Sequence, residues 1–261
     1  MAGPALQRID SAGSIKDRCS QGEWDTRVQL AACYRLIAHF GWTDSIFTHI
    51  SARVPGTEDH FLINPFGMLF EEVTASCLVK VDVDGQMVSP SSYDVNRAGF
   101  VIHSAIHSAR PDVECVIHTH TAAGIAISML ECGLLPASQH AQMLMGKIGY
   151  HDFEGIAVDA AERERLIADM GDKQVLVLRN HGMLVAGRTI REAFRTTFAL
   201  EKACDAQLRA QASGQKIVMP SQASMAATGA VVSDARTAIV LEREWNAMLR
   251  MLDRRDTSYK D

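Results

Sequence analysis

Apolar positions recur at helical spacing from Trp24 to Phe40, where Leu30, Cys33, Tyr34 and Ile37 mark one face and Gly41 supplies a stop. Phe47 to Val54 and His60 to Asn64 are short runs rich in strand-forming residues, separated by Pro55-Gly56. Leu78 to Val83 alternates apolar and polar before the Asp84-Gly85 turn, so three successive antiparallel strands are predicted. A helix follows from Val95 to Ala109 and ends before Arg110-Pro111. Val113 to His118 reads as a buried strand and Thr121 to Leu130 as a helix. Asp159-Ala-Ala-Glu162 has the form of a capping box that opens a helix reaching Met170-Gly171. Gln174 to Leu178 and Met183 to Ala186 are compact strands. Thr189-Ile-Arg-Glu192, a second capping box, starts a long amphipathic helix to about Gln211. Met219 to Ala230 is predicted as a loop, ahead of a last helix from about Asp234 with Leu241, Trp245, Met248 and Leu252 on one face.

No repeat or interdomain linker interrupts this order. The expected organisation is an arm over residues 1–23 and a single domain over 24–261, with helices packed on a central sheet that is largely antiparallel. A length of 261 residues with 47% apolar and 22% charged content suits one well-buried core. A net charge of −5 provides no extended basic face, which argues against nucleic acid or anionic membrane as the partner and points to a small molecule. No run approaches the roughly 18 apolar residues of a membrane helix, and the N-terminus lacks the pattern of a signal peptide. A cytoplasmic location is therefore expected. Six cysteines without a CxxC pair read as reduced, mostly buried thiols.

The chemistry is concentrated in histidine. Cys115-Val-Ile-His118-Thr-His120 puts two imidazoles at i and i+2 near the end of a strand, on one face, with Cα atoms roughly 6.5 Å apart. That spacing suits one shared cation, although an HxH pair by itself is more often the mark of surface or core histidines than of ligands. Asn180-His181-Gly182 is the best source of a third ligand, because it also ends a hydrophobic strand and Gly182 permits a close approach. Three neutral imidazoles around a divalent ion leave positions for water or substrate, as in a catalytic site. His103 and His107, at i and i+4, lack the Glu of a zincin motif and are expected to pack or cap. Glu71-Glu72 reads as a solvated pair, and Tyr259 as part of an unordered tail. No GxGxxG, Walker loop or GxSxG elbow supports nucleotide binding or serine hydrolysis.

Several segments taken together resemble the class II aldolase/adducin family: Phe47-Thr-His-Ile-Ser-Ala-Arg53, Leu62-Ile-Asn-Pro-Phe-Gly67, Leu78-Val-Lys-Val-Asp-Val-Asp-Gly85, Arg110-Pro-Asp-Val113 with Val116-Ile-His-Thr-His120, and Leu178-Arg-Asn-His-Gly182. Their order agrees over about residues 25–215. The resemblance implies an α/β/α layered fold around a largely antiparallel sheet, with metal bound by His118, His120 and His181. It also implies a homotetramer with active sites between subunits. Zinc is the first expectation, with Mn, Co or Fe also suited to imidazole.

The sequence departs from sugar aldolases of that family where phosphate is bound. The matching segments are Thr48-His49-Ile50-Ser51, Asn64-Pro65-Phe66-Gly67 and Ser91-Ser92, which make Ser51, Asn64, Gly67, Ser91 and Ser92 the expected substrate-binding residues. A histidine replaces Gly-Asn chemistry in the first, and Phe66, which cannot donate to a phosphate oxygen, replaces a hydroxyl in the second. A less phosphate-like substrate, aromatic or carboxylate-bearing, is expected. The family's acid/base Glu is also missing, since Ser92 is followed by Tyr93 and counting back from His103 reaches Gly99. His49 is the first replacement, followed by Tyr150 from a neighbouring subunit or a metal-bound water.

The resemblance thus implies a lyase that breaks a C–C bond of a small hydroxy or keto acid, by retro-aldol cleavage or decarboxylation, through an enolate stabilised by the cation. Two other readings share the fold: a non-haem iron oxygenase, and a non-catalytic interaction module like the adducin head. The segments Asn64-Pro-Phe-Gly67 and Val95-Asn-Arg-Ala-Gly-Phe100 look closer to adducin than to sugar aldolases.

Overall fold

The computed structural model describes residues 14–155, 160–232 and 236–261. The first thirteen residues of the expected arm, Asp159 of the first capping box and Asp234 at the expected start of the last helix lie outside the described residues. In chain order the elements are α1 (Ile15–Arg18), α2 (Gln21–His39), β1 (His49–Arg53), β2 (His60–Ile63), β3 (Val79–Asp82), α3 (Arg97–Ala109), β4 (Cys115–Thr119), α4 (Ala122–Met129) and α5 (Gln139–Gln142). They continue with β5 (Ile148–His151), α6 (Ala160–Met170), β6 (Val175–Leu178), β7 (Gly182–Gly187), α7 (Ile190–Ala212), α8 (Gln222–Val232) and α9 (Arg236–Asp253).

One seven-stranded sheet runs in the order β3-β2-β1-β4-β7-β6-β5, and every pairing is antiparallel except β5 with β6. The two-residue period of its strands builds the layers. On β4, Cys115 and Ile117 join a core with Leu30 and Ile37 of α2 and Phe194 and Leu200 of α7. Val116 instead joins a second core with Ile102 and Ile106 of α3 and Leu166 and Met170 of α6. The same alternation holds on β7, where Met183 and Val185 meet the first core and Leu184 and Ala186 the second. The expected α/β/α architecture with a largely antiparallel sheet is therefore observed. His49, Ser51 and His118 alternate with residues of the first core, so they face the α3 side.

Four local expectations are corrected. The arm is helical from Ile15, and α2 begins at Gln21 because Ser20 accepts the Glu23 N–H at 3.1 Å, a cap that lies ahead of the apolar period. β5 forms where no strand was expected, as a short half-buried edge paired in parallel with β6. The segment from Met219 to Ala230 is helical from Gln222 as part of α8, whose Ala-rich composition favours helix although no apolar stripe marks it. Tyr259 is buried: its carbonyl accepts the Ala75 N–H at 2.9 Å, and its hydroxyl donates to Asp253 at 2.7 Å.

No described helix is long and apolar enough to cross a membrane. The six cysteines are free thiols; Cys33, Cys115 and Cys204 are buried and Cys132 is exposed. Thr189 caps α7 through the Glu192 N–H at 3.1 Å, while the Glu192 carboxylate reaches back to the Arg188 N–H at 2.8 Å. Thr189→Ala is expected to cost about 1 kcal/mol in urea unfolding, the value of one N-cap.

Candidate metal centre

The three predicted ligands converge. His118 stands on β4 and His120 immediately after it, while the β6–β7 connection carries His181. Asn180, with φ of 57°, takes the left-handed conformation that Asn tolerates, and the His181 N–H closes the turn on the Leu178 carbonyl at 3.1 Å. A Cβ at Gly182 would lie 2.5 Å from the Thr119 carbonyl oxygen, so glycine is what lets this turn approach β4. His120 Nε2 lies 2.8 Å from His118 Nε2 and 2.9 Å from His181 Nε2.

The outer nitrogens decide what those contacts mean. His118 Nδ1 faces the Met183 carbonyl at 3.0 Å, and His120 Nδ1 faces the Asp44 carboxylate at 2.9 Å. Both acceptors require the proton on Nδ1, which leaves a lone pair on each Nε2. Two such lone pairs at 2.8 Å repel unless a cation lies between them. Nitrogens around tetrahedral zinc stand roughly 3.3 Å apart, so the cluster is close to the size a divalent ion sets. Burial, with the neighbouring imidazoles next, pushes His118 well below the ordinary histidine range, and the same causes bring His181 down to about 4. His118 and His181 are thus neutral at neutral pH, as metal-binding imidazoles must be. The donor set fits the metal that the sequence resemblance implies.

Asp44 was not found from the sequence. It lies 76 positions from His120 in a segment without periodicity, and only the folded chain shows that it orients the His120 ring. Asp44→Ala is expected to weaken zinc binding by about 10- to 100-fold with the fold intact, measured by competition with a chelating dye.

Beside the triad lies a cavity of about 310 Å³, lined by Asp44, Phe47, His49, Asn96, Gly99, Ile102 and Phe153 together with the three ligands. Phe47 and Phe153 are more than half exposed at its rim. Among the described residues no Lys or Arg lines it.

His49 is brought to the site. It pairs with His118 across β1 and β4, with ring centroids 5.1 Å apart. A Cβ at Gly99 would fall 2.3 Å from His49 Nε2, so the imidazole occupies the space a side chain at 99 would enter. Glycine at 99 is what makes room for the ring. Nδ1 of His49 lies 2.8 Å from His103 Nε2.

Other expected site residues lie elsewhere. Ser51 is fully buried, with its hydroxyl 2.6 Å from His103 Nδ1 and 2.7 Å from His107 Nε2, so it is corrected from a substrate-binding to an internal residue. Asn64 is also buried, its Oδ1 2.8 Å from the Tyr34 hydroxyl, and both of its hydrogen-bonding groups are used within the protein. Gly67 provides a turn at φ of 94°. Ser91 and Ser92 line a separate cleft with Ser14, Arg18 and Tyr93. The Tyr150 hydroxyl accepts the Leu134 N–H at 3.1 Å and its ring lies under Arg179, so it is not brought to the triad of its own chain. Glu71 and Glu72 are exposed as expected. His103 and His107 are buried as expected of packing residues, but both are joined in a hydrogen-bonded chain.

Known proteins agree with this fold. The sequence profile described as Class II Aldolase and Adducin N-terminal domain matches residues 28–208. An aldolase II superfamily protein from Pseudomonas syringae superposes with a TM-score of 0.92 at 50% identity, over 95% of this chain and 100% of that one. An L-fuculose 1-phosphate aldolase from Glaciozyma antarctica superposes with a TM-score of 0.80 at 26% identity, over 97% of each chain. Alpha-adducin of Rattus norvegicus is 42% identical over 258 residues, which are 94% of this chain and 35% of that protein. On its sequence, its sheet and its relatives, this chain belongs to the class II aldolase and adducin N-terminal domain family.

Proposed function

We propose that the chain is a metal-dependent lyase that breaks a C–C bond of a small hydroxy or keto acid lacking phosphate. The observation that carries this reading is the convergence of three imidazole Nε2 atoms at 2.8 and 2.9 Å, with the outer nitrogens of His118 and His120 fixed as donors. His118, His120 and His181 would hold the ion, with Asp44 and the Met183 carbonyl orienting two of the rings. A divalent cation bound there supplies Lewis-acid polarisation of the substrate oxygens. Zinc suits the all-nitrogen set best.

His49 is the acid/base in this reading, because of the two candidate side chains, His49 and Tyr150, it is the one that shares the cavity with the triad. In a retro-aldol step its Nε2 takes the proton of the hydroxyl whose carbon becomes a carbonyl. The C–C bonding pair then passes into an enolate of the other fragment, and a proton later returns to its α-carbon, the atom that lost the bond. Phe47, Ile102 and Phe153 give the cavity an apolar wall, and among the described residues no Lys or Arg lines it, which favours a neutral or aromatic substituent over a phosphate. The exposed rim phenylalanines also fit a site completed by a second subunit of a homotetramer.

The test is to incubate zinc-reconstituted protein with phosphate-free hydroxy and keto acids and follow aldehyde and carbon dioxide. Cleavage without oxygen uptake is expected. Oxygen consumption coupled to substrate would replace the lyase with an iron oxygenase, and micromolar binding of a phosphorylated ketose would contradict the assignment of the cavity. The identity with alpha-adducin supports a second reading, an interaction module. That reading requires a His118→Ala variant to keep its biological activity without bound metal.

A further inference from the structure

Two of the three rings of the triad have a protein group on their outer nitrogen, Met183 behind His118 and Asp44 behind His120. Nε2 of His181 faces the cluster, and among the described residues no group hydrogen-bonds its Nδ1. A ligating imidazole almost always donates its second N–H, because that bond fixes the tautomer and the aim of the ring. His181 lines two spaces. One is the cavity beside the triad, and the other is a pocket of about 10 Å³ that it shares with His151 and Glu162 and with the apolar Ile102 and Leu166. That volume is about the space of one water molecule.

The polar wall of the pocket comes from β5 and α6. Glycine at 149 lets the helix lie against the strand, since a Cβ there would fall 2.6 Å from the Asp169 carbonyl oxygen. The Asp169 carboxylate then meets His151 Nδ1 at 2.8 Å, while Glu162 Oε1 stands 3.7 Å from His151 Nε2. His151 is 4% exposed and Glu162 7%, and His151 Nε2 is buried without a hydrogen bond. A separation of 3.7 Å is too long for a direct bond, and it is one at which two polar groups share a water. The other polar side chains at this pocket are engaged elsewhere or open to solvent: Glu154 holds Arg165, Arg179 donates to the Leu130 carbonyl, and Asp152 is exposed.

We propose that this pocket is a water site, and that the water held there by His151 and Glu162 is the outer partner of His181. His181 Nδ1–H donates to the water oxygen. The two hydrogens of the water go to the Glu162 carboxylate and to His151 Nε2, which is an acceptor while Nδ1–H faces Asp169. All three protein groups are then satisfied by one molecule. His151 and Glu162 are positioning residues in this arrangement, acting on a metal ligand through the water as Asp44 acts directly on His120. The inference rests on the reading of the triad as a metal centre and adds the support of its third ring.

A crystal structure of the zinc-loaded wild type, at a resolution that places ordered waters, should show one water within about 3.2 Å of His181 Nδ1, His151 Nε2 and a Glu162 oxygen. Zinc affinity, measured by competition with a chelating dye, gives the energetic readout. Glu162→Leu should weaken binding about 10-fold with circular dichroism unchanged. Glu162→Gln, whose amide oxygen accepts from the same water, should bind close to wild type. A residue that only packed would be replaced as well by leucine as by glutamine, so equal affinities for the two variants would overturn the proposal. A zinc-loaded wild type with no water at that position, or with His181 Nδ1 bonded directly to a protein group, would overturn it whether or not the variants fold. A wild type that takes up no zinc would instead overturn the metal centre, and this proposal with it, so the two failures separate.

Discussion

His118→Ala is expected to remove bound metal and, with it, all turnover above background. Each imidazole carries about a third to a quarter of a site's binding free energy, and for zinc that whole is roughly 10–16 kcal/mol in peptide sites. Loss of one ligand therefore lowers affinity on the order of 100- to 10,000-fold. His118 is also the ring through which β4, β7 and β1 meet the site: its Nδ1 rests on the Met183 carbonyl and its ring on His49. Metal content by mass spectrometry, with circular dichroism to establish the fold, checks the prediction. Full metal occupancy in a folded His118→Ala protein would contradict it.

Mild acid is expected to destabilise the protein steeply, and the buried histidines behind the site are the reason. Burial is the largest cause holding His103 well below the ordinary histidine value of 6.5, and burial followed by the Arg53 charge brings His107 down to about 3. The unfolded chain binds these two protons from about pH 6.5 downwards, but the folded chain does not. Their lowered values mean that stability is whole above the unfolded pKa and is lost as pH falls from 6.5 towards the folded values. Each proton contributes about 1.4 kcal/mol per pH unit, so the pair removes roughly 2.7 kcal/mol between pH 7.5 and 5.5. That is a large share of the roughly 5–15 kcal/mol that stabilises a typical domain. Urea unfolding at the two pH values measures it, and His107→Gln should about halve the slope. A stability that is flat between pH 7.5 and 5.5 would show that these rings are protonated in the folded state.

The sheet was legible because each strand of its centre writes its two faces into alternate residues. Cys115 and Ile117 against Val116 and His118 is one example, and the three-layer arrangement follows from it. Elements without such a signature escaped. β5 is a four-residue edge containing Gly149 with only His151 buried, and α8 has no dominant apolar face to give a period. The start of α2 was written as Ser20 three residues before Glu23, a capping pattern that the later apolar period overshadowed.

The site divides in the same way. The triad was readable because two ligands sit at strand spacing and the third follows a strand beside a glycine. Asp44 and the Ser51–His103–His107 chain were not, because each depends on which residues face one another across β1, β4 and α3, a matter of register and helix rotation. Ser51 and Asn64 were placed on substrate by motif position, but the fold uses their polar groups to satisfy its own interior.

X-ray absorption at the zinc edge of the reconstituted protein bears most directly on the metal centre. One zinc per chain with three imidazole nitrogens at about 2.0–2.1 Å and a further light-atom ligand is the expected result. Sulfur in the coordination shell, or zinc that binds equally well when His118, His120 and His181 are all replaced by alanine, would contradict it.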